Sequence, residues 1–238
     1  MKSTLSSVAL LAAIFVAQSA VAATEPTPSA TSSVRITEVA PWSSGNSPVG
    51  DDWFELTNTG SISISISGWK IDDNSYAFGN AVALNGVTTI AAHESVIFIE
   101  TSGTNTAAGN LNAFVNTWFG GNKPAGLKIG SYTGNGVGLS SSSDAVTVFD
   151  STGAVQAVVA FGASPIGPYA TFDNAIGQNG GTISTLSAIG ANGAFKAVGD
   201  ATEIGSPGTI AAVPEPECYA MLLAGLGLMG FVARRRSK

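Results

Sequence analysis

The chain has 238 residues, with 10 basic side chains, 16 acidic ones, one histidine and one cysteine. Between residues 23 and 213, five basic residues (Arg35, Lys70, Lys123, Lys128, Lys196) stand against fourteen acidic ones, a net charge of −9. Nucleic acid is therefore excluded as a partner, because phosphate binding relies on basic patches. Cys218 lies in the C-terminal tail, so the remaining chain forms no intramolecular disulfide and must draw its stability from core burial.

The N-terminus reads as a secretory signal peptide over residues 1–22. Lys2 supplies the positive region, Val8 to Val16 a short apolar core, and Ala20-Val21-Ala22 an A-x-A cleavage site. Export by the Sec translocon and removal by signal peptidase near Ala23 are expected. Residues 23–33 contain two prolines and no large apolar side chain, and read as a flexible linker.

From Val34 the pattern changes. Val34 to Val39 alternates apolar and polar, a half-buried strand. Trp53 to Leu56 is a second strand, closed by Asn58-Thr59-Gly60. Ile62, Ile64 and Ile66 recur at period two, which gives that segment one apolar face. Gly68 permits a tight bend before the strand Trp69–Ile71. Ser95 to Glu100 reads as a buried strand behind a turn that holds His93. Leu111, Phe114, Val115, Trp118 and Phe119 follow helical spacing, so one short helix is expected over Leu111–Phe119. Strands resume at Ala145–Phe149 and Ala154–Phe161 around the turn Asp150-Ser151-Thr152-Gly153. Many short strands and one short helix point to an all-β protein, a β-sandwich. The strands that begin and end it are candidates for edge-to-edge pairing between copies.

The tail has three parts in order: Val213-Pro214-Glu215-Pro216, an apolar run from Cys218 to Ala233, and Arg234-Arg235-Arg236-Ser237-Lys238. The run of sixteen residues reaches about 24 Å as a helix, against a hydrocarbon core of about 30 Å. Three internal glycines weaken it further. It suits a transient membrane handle with its cationic end on the cytoplasmic side. This arrangement resembles the PEP-CTERM sorting signal of Gram-negative bacteria. The resemblance implies recognition by an exosortase, cleavage near Pro-Glu-Pro, and release or re-anchoring at the cell surface.

ITEVA at Ile36–Ala40, DDWFELTNTG at Asp51–Gly60, ISGWKIDD at Ile66–Asp73, TIAAHESVIFIE at Thr89–Glu100, SSSDAVTVFDSTGAVQAVVAF at Ser141–Phe161 and GSPG at Gly205–Gly208 together resemble a lamin-tail domain over about residues 34–209. The resemblance implies an immunoglobulin-like β-sandwich. Leu111–Gly138 departs from the pattern and looks like an elaborated insertion. The expected organisation is a signal peptide (1–22), a linker (23–33), the sandwich (34–209) and the sorting segment (210–238).

The residues give little support to catalysis. One histidine without cysteine partners does not build a zinc site of ordinary composition, and no G-x-S-x-G occurs. Asp51-Asp52 and Asp72-Asp73 flank strands expected to be neighbours and are the candidate calcium ligands. No D-x-D-x-D-G loop supports them, so turn caps are the competing reading and no cofactor is required. Only a deep cleft with two close, pKa-raised carboxylates would revive a hydrolase. Trp42, Trp118, Tyr76, Tyr132 and Tyr169 are candidates for stacking on sugars; for Trp118, on an apolar helical stripe, core packing is the stronger reading. The expected function is non-enzymatic: an exported protein of the cell surface or extracellular matrix. It is held at the inner membrane as a precursor, processed by an exosortase, and associated with extracellular polysaccharide or biofilm. The alternative is a secreted carbohydrate- or calcium-binding module.

Overall fold

A computed structural model describes residues 23–41, 51–101, 107–209 and Met229. The signal peptide, Trp42, the motif Val213–Pro216 and the Arg234–Arg236 cluster lie outside the described residues, as does the apolar run apart from Met229.

In chain order the elements are β1 (Val34–Ala40), β2 (Trp53–Asn58), β3 (Ile64–Ser65), β4 (Lys70–Asp72), β5 (Val82–Ala83), β6 (Thr89–Ile90), β7 (Ser95–Thr101), α1 (Ala107–Phe119) and β8 (Lys128–Thr133). Then follow β9 (Asp144–Phe149), β10 (Val155–Phe161), β11 (Tyr169–Ala170), β12 (Phe172–Asp173), β13 (Thr182–Ile183), β14 (Phe195–Lys196) and β15 (Glu203–Gly205). Two five-stranded sheets, β12-β1-β2-β7-β8 and β13-β10-β9-β4-β5, carry most of the chain, and β11-β15-β14 form a small third sheet. This mostly β architecture with one short helix is consistent with an immunoglobulin-like sandwich.

The main core lies between the two large sheets. Ile36, Phe54, Leu56, Phe98 and Tyr132 from one meet Ile71, Val146, Val148, Val159 and Phe161 from the other. Strands β7 and β8 run parallel, and a parallel pair needs a crossover; α1 supplies it. The helix covers the outer face of the first sheet, where Trp53 meets Phe114 at 5.4 Å and Trp118 at 5.6 Å, edge to face. Ile97, Ile99 and Phe195 complete this second cluster. Consequently β2 is buried along its whole length, and β1 nearly so, where alternation suggested only half-burial.

Three further expectations are corrected. The Thr24–Ser33 segment, read as a flexible linker, lies against the sandwich. Ser29 N donates to Val155 O at 2.8 Å, Thr59 N to Ser33 O at 2.8 Å, and the Glu25 carboxylate takes the Gly181 amide. The segment completes backbone bonds at strand ends, which costs less than leaving them unpaired. Ile62 is 72% exposed, so the period-two face is not continuous. Asn58 explains this, donating from Nδ2 to Ile62 O at 2.7 Å and accepting from Gly60 N at 3.0 Å, which holds the segment in a turn. Finally, β1 is not an edge: it lies between β12 and β2. The bend at Gly68 (φ +76°) and the turn ending at Gly153 (φ +90°) are where the sequence puts them.

Candidate functional site

The sandwich has an acidic pole. Asp51 and Asp52 lead into β2, Glu100 lies near the end of β7, Asp72 ends β4 with Asp73 just after it, and Asp144 begins β9. The two candidate calcium pairs were expected on neighbouring strands. They are on different sheets, β2 in one and β4 in the other, because strand order is set by long-range pairing rather than by sequence proximity. Asp52 Oδ2 accepts from Leu139 N at 2.7 Å. Asp72 Oδ2 accepts from Ser75 Oγ and Ala77 N, both at 2.7 Å. Asp73 Oδ1 accepts from Ser75 N at 2.8 Å. Asp144 accepts from Ser140 N at 2.7 Å and Asn74 N at 3.1 Å. Each of these carboxylates caps a loop.

Burial, with Glu100 nearby, pushes the Asp51 carboxyl up to about 6. Burial also raises Asp72 and Asp144. The buried Tyr132 hydroxyl has no hydrogen-bond partner, and burial together with Asp52, Glu100, Asp144 and Asp51 pushes it well above 10. Among the described residues, no three His, Cys, Asp or Glu side chains converge in a way that would hold a metal ion. The hydrogen bonds of the pole favour turn caps: its aspartates fix loops.

A second pair of carboxylates is one that the sequence patterns do not single out. Glu38 and Glu55 face each other across β1 and β2, beside a bulge that inserts Thr37. The bulge sends Thr37 and Glu38 to the same outer face as Glu55. Both glutamates are 1% exposed. Glu38 accepts from Thr171 Oγ1, from Ser206 N at 2.8 Å and from Ser206 Oγ at 3.2 Å. Glu55 accepts from Thr37 Oγ1 at 2.6 Å and Gly208 N at 2.7 Å. Hydroxyl chains continue outward, Thr171 to Ser187 at 2.7 Å and Thr57 to Ser95 at 2.6 Å. Burial, then the charge of Glu55, pushes Glu38 up to about 8; burial pushes Glu55 up to about 7.

These are two close carboxylates with raised pKa values, the pattern set as the condition for a hydrolase, but the cleft is missing. A glycosidase needs its acid and its base on either side of a substrate bond. Here the carboxyl oxygens are occupied by Thr, Ser and Gly donors and neither group reaches the surface. The sequence does hold a signal for the pair: Glu55 sits in WFEL, flanked by apolar residues on both sides.

The sugar-stacking candidates separate. Tyr132 and Trp118 are buried in the two cores, Tyr76 and Tyr169 are half-buried, and His93 is exposed in its turn with φ 56°. A shallow cleft of about 110 Å³ lies beside Asp173, Asn174, Gln178, Thr185 and Asn192, with Ile176 on its rim. Its polar groups mostly bond one another: Asn192 Nδ2 donates to Asp173 Oδ2 at 2.7 Å, and Gln178 N to Asn174 Oδ1 at 3.0 Å.

Comparison with known proteins bears on this arrangement twice. The family model described as Lamin Tail Domain matches residues 27–163, starting inside the docked N-terminal segment and ending before β11. The model for the PEP-CTERM protein-sorting motif matches residues 212–236. No curated protein matches the chain.

Proposed function

We propose a function from one premise: the chain belongs to the lamin tail domain family. With the PEP-CTERM protein-sorting motif behind that domain, it is an exported, non-enzymatic protein that carries the signal for exosortase processing. A role at the cell surface or in biofilm is consistent with this combination.

In the finer reading, residues 1–22 send the chain through the Sec translocon and are removed by signal peptidase. The Cys218–Ala233 run then holds the precursor in the inner membrane, with Arg234, Arg235 and Arg236 on the cytoplasmic side. An exosortase cuts near Val213–Pro216. The domain over about 34–209 is left at the surface or in the medium, among extracellular polysaccharide. The observation that carries this reading is the sorting match at 212–236, three residues beyond Thr209, where the described fold ends. The net charge of −9 supports a partner other than nucleic acid. The alternative, a soluble module for carbohydrate or calcium-bridged polymer, has the Asp173–Asn192 cleft in its favour, but that cleft is lined by no aromatic side chain.

The test is the intact mass of the protein recovered from native cell surface and medium. The expected mass lacks Met1–Ala22 and the tail beyond the Pro-Glu-Pro region. A mass that keeps Arg234–Lys238 overturns the processing route.

A further inference from the structure

The two buried glutamates do more than satisfy each other's neighbours: they hold the end of the domain. Ser206 is bonded to Glu38 through both its amide and its hydroxyl, and Gly208 to Glu55 through its amide. Both residues belong to the strap that leaves β15, and Thr209 is its last described residue. Gly205 lies so close to the pair that a Cβ there would sit 2.6 Å from Glu38 Oε1 and 2.8 Å from the Trp118 ring. Val213 is only four residues beyond Thr209, at most about 14 Å of extended chain.

We propose that Glu38 and Glu55 form a proton-dependent latch on the Ser206–Gly208 strap, closed while the pair keeps a proton and opened when both carboxyls ionise. Two like charges held side by side out of water cannot both persist without a counter-charge. The facing groups provide none. Beside Glu38, β12 presents Asp173, whose carboxylate is engaged by Ala175 N and Asn192. From the other neighbouring elements come Glu203 on β15, Ser95 on β7, with Glu94 and Glu100 toward its ends, and no charged residue from α1. Arg35 on β1 turns its guanidinium to Ser32 O and Val34 O, and Lys196 on β14 is exposed. Among the described residues, no cation acts on either glutamate.

A retained proton has a place to go. The Thr171–Ser187 and Thr37–Thr57–Ser95 hydroxyl chains can each run in either direction, so a neutral carboxyl can donate into a chain while still accepting the strap amide. Removing the last proton leaves two buried anions whose mutual repulsion is relieved by letting water in, and the strap, past the end of β15, is a part of their surroundings that belongs to no strand. The latch stands on these contacts alone; only its consequence, that an open strap lengthens the free chain before the exosortase motif, rests on the function proposed above.

The test is amide hydrogen exchange in the full chain from pH 6 to pH 9, corrected for intrinsic base catalysis, with Val146 and Val148 in β9 as references. Protection at Ser206 and Gly208 is expected to fall at least tenfold while β9 stays protected. The double variant Glu38→Gln, Glu55→Gln is expected to show no such fall. Constant strap protection overturns the latch, as does a fall shared by β9 or one that persists in the double variant. Should that variant fail to fold, the side-chain carboxyl carbon shifts of Glu38 and Glu55 in the unaltered chain decide. Midpoints near 7 to 8 support the latch, and midpoints near the ordinary carboxylate range overturn it. None of these readings involves the exosortase, so processing and latch fail independently.

Discussion

The acidic pole and the buried glutamate pair use one functional group in two ways. At the pole, Asp72 and Asp73 serve the loop after β4, and Asp144 caps its own loop while tying in Asn74 N of the other. Inside, Glu38 and Glu55 join β1 and β2 to β12's neighbour Thr171 and to the strap after β15, segments more than a hundred residues apart in sequence. The pole's carboxylates, although Asp72 and Asp144 are themselves buried, each cap one or two loops. The glutamate pair binds several elements at once, and its ionisation becomes a property of the fold.

The largest expected effect on this contrast is that of pH. Burial, with the repulsion between them, pushes the Glu38–Glu55 pair well above the ordinary carboxylate value, which both regain on unfolding, to about 8 and 7. The folded state therefore holds more protons, and stability is full below about pH 4 to 5 and falls as pH rises through 7 and 8. Urea denaturation from pH 5 to 9 should show a falling midpoint, and the Glu38→Gln, Glu55→Gln variant a flatter profile. Next, Glu38→Ala strands the Ser206 amide, takes one partner from Thr171 Oγ1 and leaves a cavity beside Glu55, and should cost roughly 3 kcal/mol at pH 6. Gly205→Ala drives a methyl between Glu38 and Trp118, a packed site, and should cost about 2 kcal/mol in the same assay.

The exposed hairpin at Asp150 and the Gly134 turn answer more mildly. Asp150→Ala, at the hairpin that faces water, removes the acceptor of Thr152 N, Ala154 N and Gln156 Nε2 and should lower the thermal midpoint by the equivalent of about 1 kcal/mol. Gly134→Ala makes a contact with the Glu100 carboxylate, but that carboxylate ends a flexible side chain. The expected loss is under about 1 kcal/mol, less than at Gly205 although the nominal clash is worse. Equal losses at the two glycines would erase the distinction between pole and interior.

Local features are legible in the order of the residues. The apolar spacing of Leu111 to Phe119 marks α1, whose start lies four residues earlier at Ala107, and Gly68 and Asp150–Gly153 mark turns by their own chemistry. Pairing between distant strands is not legible in the same way. Nothing in DDW or IDD tells that β2 and β4 go to different sheets. Strict alternation along Val34–Val39 puts Arg35 and Thr37 on one wet face and Glu38 with Val34 and Ile36 on the other; the bulge at Thr37 instead turns Glu38 outward, onto the face it shares with Glu55. That face is covered by α1 and by residues 164–209, whose contribution comes from long-range packing that periodicity does not encode.

The margins of the two large sheets are stitched together. On one side Asn85, just after β5, exchanges backbone bonds of 2.8 and 2.9 Å with Ser131 on β8. On the other, Asp173 N on β12 reaches Thr185 O at 2.9 Å, just past β13. The flanks that would template strand addition are thus spent within the molecule. Among the described residues, strand addition at these two flanks would first have to break those bonds, so a neighbouring molecule would meet these margins through side chains rather than through shared backbone.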